Sequence, residues 1–537
     1  MTVASSGLLR GHDVFRVVHV GALALCAIML PWSTAILSVA QMLLVANWLV
    51  EGIVRKDIVQ RFRRAFTWAP SLVFLSFYFL HIIGLVWTDD LKWGMDLLRI
   101  LLPVLSFGPA LATAPRLQRK AFDTMLLLGA WSVVASTFAC LLLTKGDAMD
   151  YRSLSVFISH IRLSMLLCLA VVVFVIDRSA PRSLRLAGYA MACWALYFIN
   201  ELGSLQGFFM LGAIAVVAIW RMAAGLKRPW SSLIRVAMLL IPATGVVWML
   251  SFVRANYRLP DPAIAESVER TAGGDYYTYD LTNPQMENGT HVWTYLAWRE
   301  MERTWPLRST HSLQGNDERG HPMWSTLVRF LASKGQRKDS VGVMGLSDDE
   351  VRAIERGIPS AVQEQRSEWR ERVDEVAFEL AQYKAYGKAE GHSVAMRLEY
   401  LKAGWSIAKE NWSFGVGTGD TQRAFDAQYE RMGSSLSKEW RHRAHNEYLT
   451  LWISFGVFGL LLSLIAWCWP AWRLGAWRST HFIAWAIIFG ISCLTDDTIE
   501  TQAGATFFGL FYTLFVYAAP LDLKHEYIGS APTHASA

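Results

Sequence analysis

Long apolar runs separated by short polar connections fill the chain up to residue 253 and return after residue 446. Each run is near the length of roughly 20 residues that a helix needs to cross the hydrocarbon of a bilayer. Twelve can be delimited, at about 15–32, 34–53, 68–87, 93–114, 121–143, 156–176, 184–200, 203–221, 232–253, 447–468, 481–495 and 503–520. The pattern predicts an all-α polytopic membrane protein with about twelve transmembrane helices. The first run follows MTVASSGLLRGHDVF, which has weak signal-peptide character and no clear small-residue cleavage site, so it is expected to be retained as a helix.

Between residues 254 and 446 the pattern changes. GDYYTYD and NGTHVWTYL are aromatic, alternating runs around a Pro/Asn/Gly stretch, which predicts a hairpin within 270–300. Charged and apolar residues then interleave at helical spacing over 348–357 and 362–386, and again in SVAMRLEYLKAGWSIAKEN, where Leu398, Leu401, Trp405 and Ala408 form an apolar stripe with Arg397 at its edge. GVGTGD, Gly415 to Asp420, is read as a turn closing that last helix; no Lys-Ser/Thr follows and no strand precedes it, so it is not a nucleotide loop. Three parts follow: an N-terminal bundle of about nine helices over 1–253, a large and mainly helical cap over 254–446, and about three further transmembrane helices with a short tail over 447–537.

Composition agrees with a membrane setting: of 537 residues, 53% are hydrophobic and 13% aromatic. Charge sets the orientation. RKDIVQRFRR, APRLQRK, DRSAPRSLR, RMAAGLKR and WRLGAWR follow the even-numbered runs, whereas TDDLK and TKGDAMDYR follow odd ones. The Lys/Arg-rich set is expected in the cytoplasm, with both termini, and the cap on the opposite, periplasmic side. All six cysteines lie in apolar runs, so neither a disulfide framework nor a zinc spacing is predicted, and no metal, cofactor or nucleic-acid partner is expected.

The candidate chemistry gathers where polar chain meets apolar helix, in RHRAHNEYLTLWISFGVFG, 441–459. Asn446 is suited to cap the helix and Glu447 to its first turn, so His445 stands at a helix mouth beside Arg441, His442 and Arg443. Helix N–H groups and neighbouring cations disfavour the imidazolium, leaving His445 as a neutral base facing an anion-attracting site. The same cluster can be read as a headgroup anchor, but it falls on the side where the positive-inside rule does not ask for cations. Arg162 lies near the outer end of the sixth run, where an Arg is disfavoured by about 2.5 to 3.5 kcal/mol on insertion scales; it is either functional or snorkels to the interface. Asp96 and Arg99 read as a structural i,i+3 pair. Asp496, Asp497 and Glu500 could form an acidic outer loop, hold a metal, or orient an Arg or His. A base, cations and carboxylates on one face suit transfer from an anionic, lipid-borne donor. Without nucleotide energy outside the cytoplasm that donor must carry its own activation, as a polyprenyl diphosphate sugar does, and arginines can hold the leaving diphosphate.

His445-Asn446, nine residues, then Gly456-Val-Phe-Gly459 resembles the H-N-x9-G-x-x-G signature of bacterial O-antigen ligases, whose superfamily also holds O-antigen polymerases and protein O-oligosaccharyltransferases. Arg162-Leu-Ser-Met-Leu166 is similar to the family's R-x-x-x-L element, and Arg397 to the Arg that opens the helix before a Gly turn, here without its Pro. The resemblance implies a GT-C-like fold in a bacterial inner membrane and an inverting, metal-independent transfer of a glycan from undecaprenyl diphosphate to a lipid A core sugar. It implies His445 as base and Arg162 and Arg397 on the diphosphate. Asn446, Arg441, Arg443, Asp497 and Glu500 are the expected substrate-binding residues. A polymerase or a protein O-oligosaccharyltransferase shares these motifs. A transporter, which would show matched Gly/Pro-broken spans in two halves, fits the sequence less well.

Overall fold

The computed structural model describes residues 5–144, 154–256, 260–265, 269–361 and 393–521, with isolated positions between 379 and 390. The helix expected over 362–386 lies almost entirely outside the described residues. By internal contact the chain forms two compact units, one of residues 1–235, 400–432 and 441–537, the other of 236–399 and 433–440.

The helices of the N-terminal stretch are α1 (Ser5–Met29), α2 (Thr34–Val54), α3 (Ile58–Thr67), α4 (Ala69–Ile83), α5 (Leu91–Ile100), α6 (Leu102–Thr113), α7 (Arg119–Leu143), α8 (His160–Ile176), α9 (Arg182–Glu201), α10 (Leu205–Ala224) and α11 (Trp230–Asn256). Several begin where a short polar side chain can accept an orphan N–H: Ser33 from Ile36, Asp90 from Trp93, Ser159 from Arg162 and Ser204 from Gly207. The run expected as one span at 93–114 is two helices meeting at Leu101, because Pro103 in the first turn of α6 has no N–H to continue the ladder. Asp96 and Arg99 pair as expected, at 3.2 Å.

The C-terminal stretch holds α16 (Ser393–Glu410), α17 (Thr421–Arg431), α18 (Glu447–Arg473), α19 (Thr480–Thr495) and α20 (Gln502–Thr513), the last passing into a π turn over Leu514–Ala518. All twelve apolar runs are thus helical. Among the described residues, six segments are suited by length and composition to cross a membrane: Thr34–Val54, Ala69–Trp87, Leu91–Thr113, Arg119–Leu143, Leu205–Ala224 and Glu447–Arg473. Val14–Met29, His160–Ile176 and Thr480–Thr495 are shorter apolar helices. Aromatic side chains tie the late helices to α4 and to each other: Phe74 stacks on Tyr512 at 4.7 Å, Phe489 on Phe508 at 4.9 Å, and Trp467 meets the edge of Phe77 at 5.5 Å. In lipid, where burial of apolar area drives little, such close packing holds helices together.

The second unit contains the expected hairpin in reduced form. Strands β1 (Met286–Glu287) and β2 (Thr290–His291) flank Asn288 and Gly289, both with positive φ, the backbone a two-residue I′ turn requires. Beyond them the arms pair only at isolated bridges such as Thr278 with Leu296. Four short helices, α12 (Trp298–Thr304), α13 (Met323–Ser333), α14 (Ser340–Met344) and α15 (Asp348–Glu355), enclose a core of Trp305, Met301, Leu327, Phe330 and Ile354. Helix α15 falls where the sequence placed it and opens on a capping box between Ser347 and Glu350.

Candidate active site

The mouth of α18 is built as its sequence suggests. Asn446 is the N-cap, its Oδ1 accepting from Leu449 N at 3.0 Å, and its amide donates to Leu494 O at the end of α19, also at 3.0 Å. Both ends of the Asn446 side chain are therefore engaged in joining two helices. Glu447 in the first turn is buried, and its Oε2 accepts from Ile499 N at 2.9 Å. These contacts fold the 496–501 loop over the helix start, and the cap leaves His445 just outside the helix with φ of 47°. That left-handed backbone is sparsely populated by residues other than glycine and turns the ring away from the helix axis.

The imidazole points at Asp496, with Nδ1 and Oδ1 3.4 Å apart. Tyr400, at a ring distance of 5.6 Å, covers it from α16. Asp496 also forms an ion pair with Arg162, so one carboxylate bridges the histidine and a cation from α8. Arg162 is 7% exposed. It donates from Nε to Thr501 Oγ1 and from Nη2 to the Asp497 carbonyl, each at 3.2 Å. The sequence left Arg162 between a functional and a snorkelling residue; the structure draws it inward and pairs it. Burial alone would raise the Asp496 carboxyl, but the bond from His445 and the guanidinium of Arg162 hold it well below the usual carboxylate range.

A second pair lies beside the first. Arg443 forms an ion pair with Glu500, and its guanidinium stands 5.4 Å over the Trp93 ring. Burial pushes the Glu500 carboxyl up to about 7 despite Arg443, with Asp497 adding to the rise. Asp497 is itself buried and accepts from Thr450 Oγ1 at 2.7 Å. Of the residues expected at the site, Arg162, Arg443, His445, Asn446, Asp497 and Glu500 thus come together. Arg441 points elsewhere, towards Glu430 at 3.9 Å. Arg397 is exposed on α16 within the second unit. Thr501 and Tyr400 were not singled out by the sequence, whereas Asp496 was expected only as one of three carboxylates that could orient an Arg or His. Asp496 was visible in TDDTIETQ as one of three carboxylates, but no local pattern says which of them meets the histidine. Among the described residues, no three His, Cys, Asp or Glu side chains are placed to hold a metal ion.

A small apolar crevice of about 10 Å³, room for about one water, adjoins Arg162, lined also by Leu30, Ile158, Met165, Leu166, Ala503 and Phe507. Behind the site the two glycine motifs interlock. Helix α18 breaks at Gly456, where φ is 65°. The carbonyls freed at Ile453 and Ser454 accept from Val416 N at 2.8 Å and Gly417 N at 2.9 Å, and Val457 N donates to Trp412 O at 2.7 Å. Gly415 and Gly417 also have positive φ. GVGTGD is therefore the turn expected after the helix, and also the partner of a broken span.

Fold and site define a class: an apolar helical protein in which a histidine, carboxylates, a buried arginine and a half-buried one converge beside a small apolar crevice. Residues 353–464 match the family model described as O-Antigen ligase. The match, over about a fifth of the chain, supports membership of that family. The matched stretch includes Arg397, His445 and Gly456, whereas Arg162 and the 496–501 loop lie outside it. A search of curated proteins finds no match.

Proposed function

We propose that this protein is an O-antigen ligase-type glycosyltransferase of a bacterial inner membrane. It moves a glycan from undecaprenyl diphosphate to a hydroxyl of a lipid A core sugar on the periplasmic face. The observation that carries this reading is the bridge His445–Asp496–Arg162. With Asp496 on Nδ1, Nε2 is the free acceptor, the arrangement by which a carboxylate orients an imidazole as a general base. His445 Nε2 takes the proton of the acceptor hydroxyl. The oxygen attacks the anomeric carbon from the face opposite the leaving group, and the bond to the diphosphate breaks with its electron pair going to the phosphate oxygen. One displacement inverts the configuration.

Arg162 and Arg397 hold the diphosphate in this scheme. Among the described residues three of Arg162's N–H groups are taken by Asp496, Thr501 and the Asp497 carbonyl, which leaves two of its five for phosphate oxygens. Arg443, Glu500 and Asp497 line the acceptor side, and Asn446 keeps the helix mouth closed on α19. No metal or cofactor takes part.

The test is transfer by purified protein with an undecaprenyl-diphosphate glycan as donor and rough lipopolysaccharide as acceptor. Glycan joined to the lipid A core supports the ligase. Donor glycans extended into longer chains, with the core left bare, would make the protein a polymerase; glycan on a protein Ser or Thr would make it a protein O-oligosaccharyltransferase.

A further inference from the structure

Most of the apolar stripe on α16 does not face the protein. Leu398, Leu401 and Trp405 are exposed, whereas Ala408 lies on the buried side of the helix with Tyr400, Ala403, Gly404 and Ile407. Just after the helix, Trp412 is 58% and Phe414 67% exposed. These rings join a surface whose environment is fixed by α18. Phe458 on α18 is exposed in line with Leu461, Leu462 and Ile465, the outward flank of a helix suited to cross a membrane. Trp412 and Phe414 meet Phe458 at ring distances of 6.4 and 5.9 Å, and Trp405 meets Trp452 at 5.3 Å. Lys409 lies 5.4 Å from the Trp405 ring, where a snorkelling amine would reach headgroups.

Depth follows from helix geometry. A hydrocarbon core of about 30 Å takes about 20 residues at 1.5 Å each. Counted back from Arg473, this places the boundary near Ile453 and Phe458 about five residues, roughly 7 Å, inside it. Irregular backbone at such depth must have its polar groups satisfied by protein, since lipid offers no partner. The turn meets that demand through its three backbone hydrogen bonds to the broken span. The glycines make the approach possible: a Cβ on Gly456 would lie 1.9 Å from Ser413 O, and one on Gly415 2.3 Å from the Ser454 carbonyl carbon.

We propose that the turn over 411–417 is embedded in the bilayer, with Trp405, Trp412 and Phe414 against lipid acyl chains, in the leaflet at the His445 end of α18. Instead of resting on the membrane surface as part of a cap, this segment fixes the depth at which the site meets the bilayer. The inference rests on α18 crossing the membrane and is independent of the reaction.

Single nitroxide labels in the full-length protein, reconstituted in phosphatidylglycerol/phosphatidylethanolamine liposomes, test it. Cys193 and Cys468 are replaced by alanine, the other four cysteines being buried. Labels at Trp412→Cys and Phe414→Cys should collide mainly with oxygen, as at Phe458→Cys, while Ala427→Cys on the polar helix α17 should collide mainly with a water-soluble nickel chelate. Nickel-dominated collisions at both 412 and 414 would overturn the proposal. Should these variants not fold, photolabelling of the unsubstituted protein by a lipid with a diazirine in its acyl chain gives the same decision. Adducts on the 411–417 turn as well as on the Phe458 flank support it, and adducts on that flank alone refute it.

Discussion

At the scale of single residues, Asp496 has the most to do. It is the only carboxylate among the described residues that reaches His445, and it also holds Arg162. His445→Ala should lower transfer by roughly 10²- to 10⁴-fold, the usual worth of a general base, with the thermal transition unchanged. Asp496→Asn should come within about tenfold of that loss, because an amide no longer favours the tautomer with its proton on Nδ1. Steady-state rates and melting curves on the two variants check both statements. Glu500 makes a different kind of prediction. Burial raises its carboxyl to about 7, so the folded state binds a proton that the unfolded chain gives up near pH 4.5. Stability from this group is complete at acid pH and is lost as pH rises through about 7. Asp496 is depressed, so its contribution is fully present across that window and is lost only in stronger acid. The melting temperature should therefore fall between about pH 4.5 and 7, and Glu500→Gln should flatten the slope. His445, Asn446 and the two arginines were legible in the sequence because each sits in a local pattern: a cap, a helix mouth, a charge in an apolar run. The Asp496 pairing was not, since it joins residues from three distant segments whose approach is set by packing.

At the scale of elements, the glycine turn and the kinked span are one device. Either would leave backbone groups without partners; together they supply each other. Gly456→Ala should destabilise the protein by more than about 3 kcal/mol, combining positive-φ strain with a clash against the Ser413 carbonyl. Gly475→Ala is the control: it too has positive φ, but its Cβ meets nothing within 4 Å, so a loss of about 1 kcal/mol is expected. Thermal unfolding in one detergent ranks the two. Hydrophobic runs disclosed the helices because their length is dictated by the bilayer. They did not disclose the break at Leu101 or the kink at Gly456, which depend on one residue each. Nor did periodicity say which way α16 faces, because an apolar stripe can meet a protein core or a lipid equally well.

At the scale of the whole molecule, the alternation of basic and non-basic connections implies that both termini share one side and residues 254–446 the other. Fusions after residue 320 should give active alkaline phosphatase and dark fluorescent protein, and fusions at either terminus the reverse; the opposite pattern at 320 would displace the site from the periplasm. Among the described residues six segments satisfy the length and apolarity of a crossing, and the remaining runs are helices whose place in a membrane rests on that charge pattern. The central claim is that His445, oriented by Asp496, removes the acceptor proton in a transfer that uses no metal. Single-turnover transfer from undecaprenyl-diphosphate glycan to rough lipopolysaccharide, with excess EDTA, measures this most directly on the wild type and His445→Ala. Undiminished transfer by the wild type with EDTA, and a loss of at least about 10²-fold in the variant, is the expected result. Equal rates from the two proteins, or a wild-type rate abolished by EDTA and restored by a divalent cation, would contradict it.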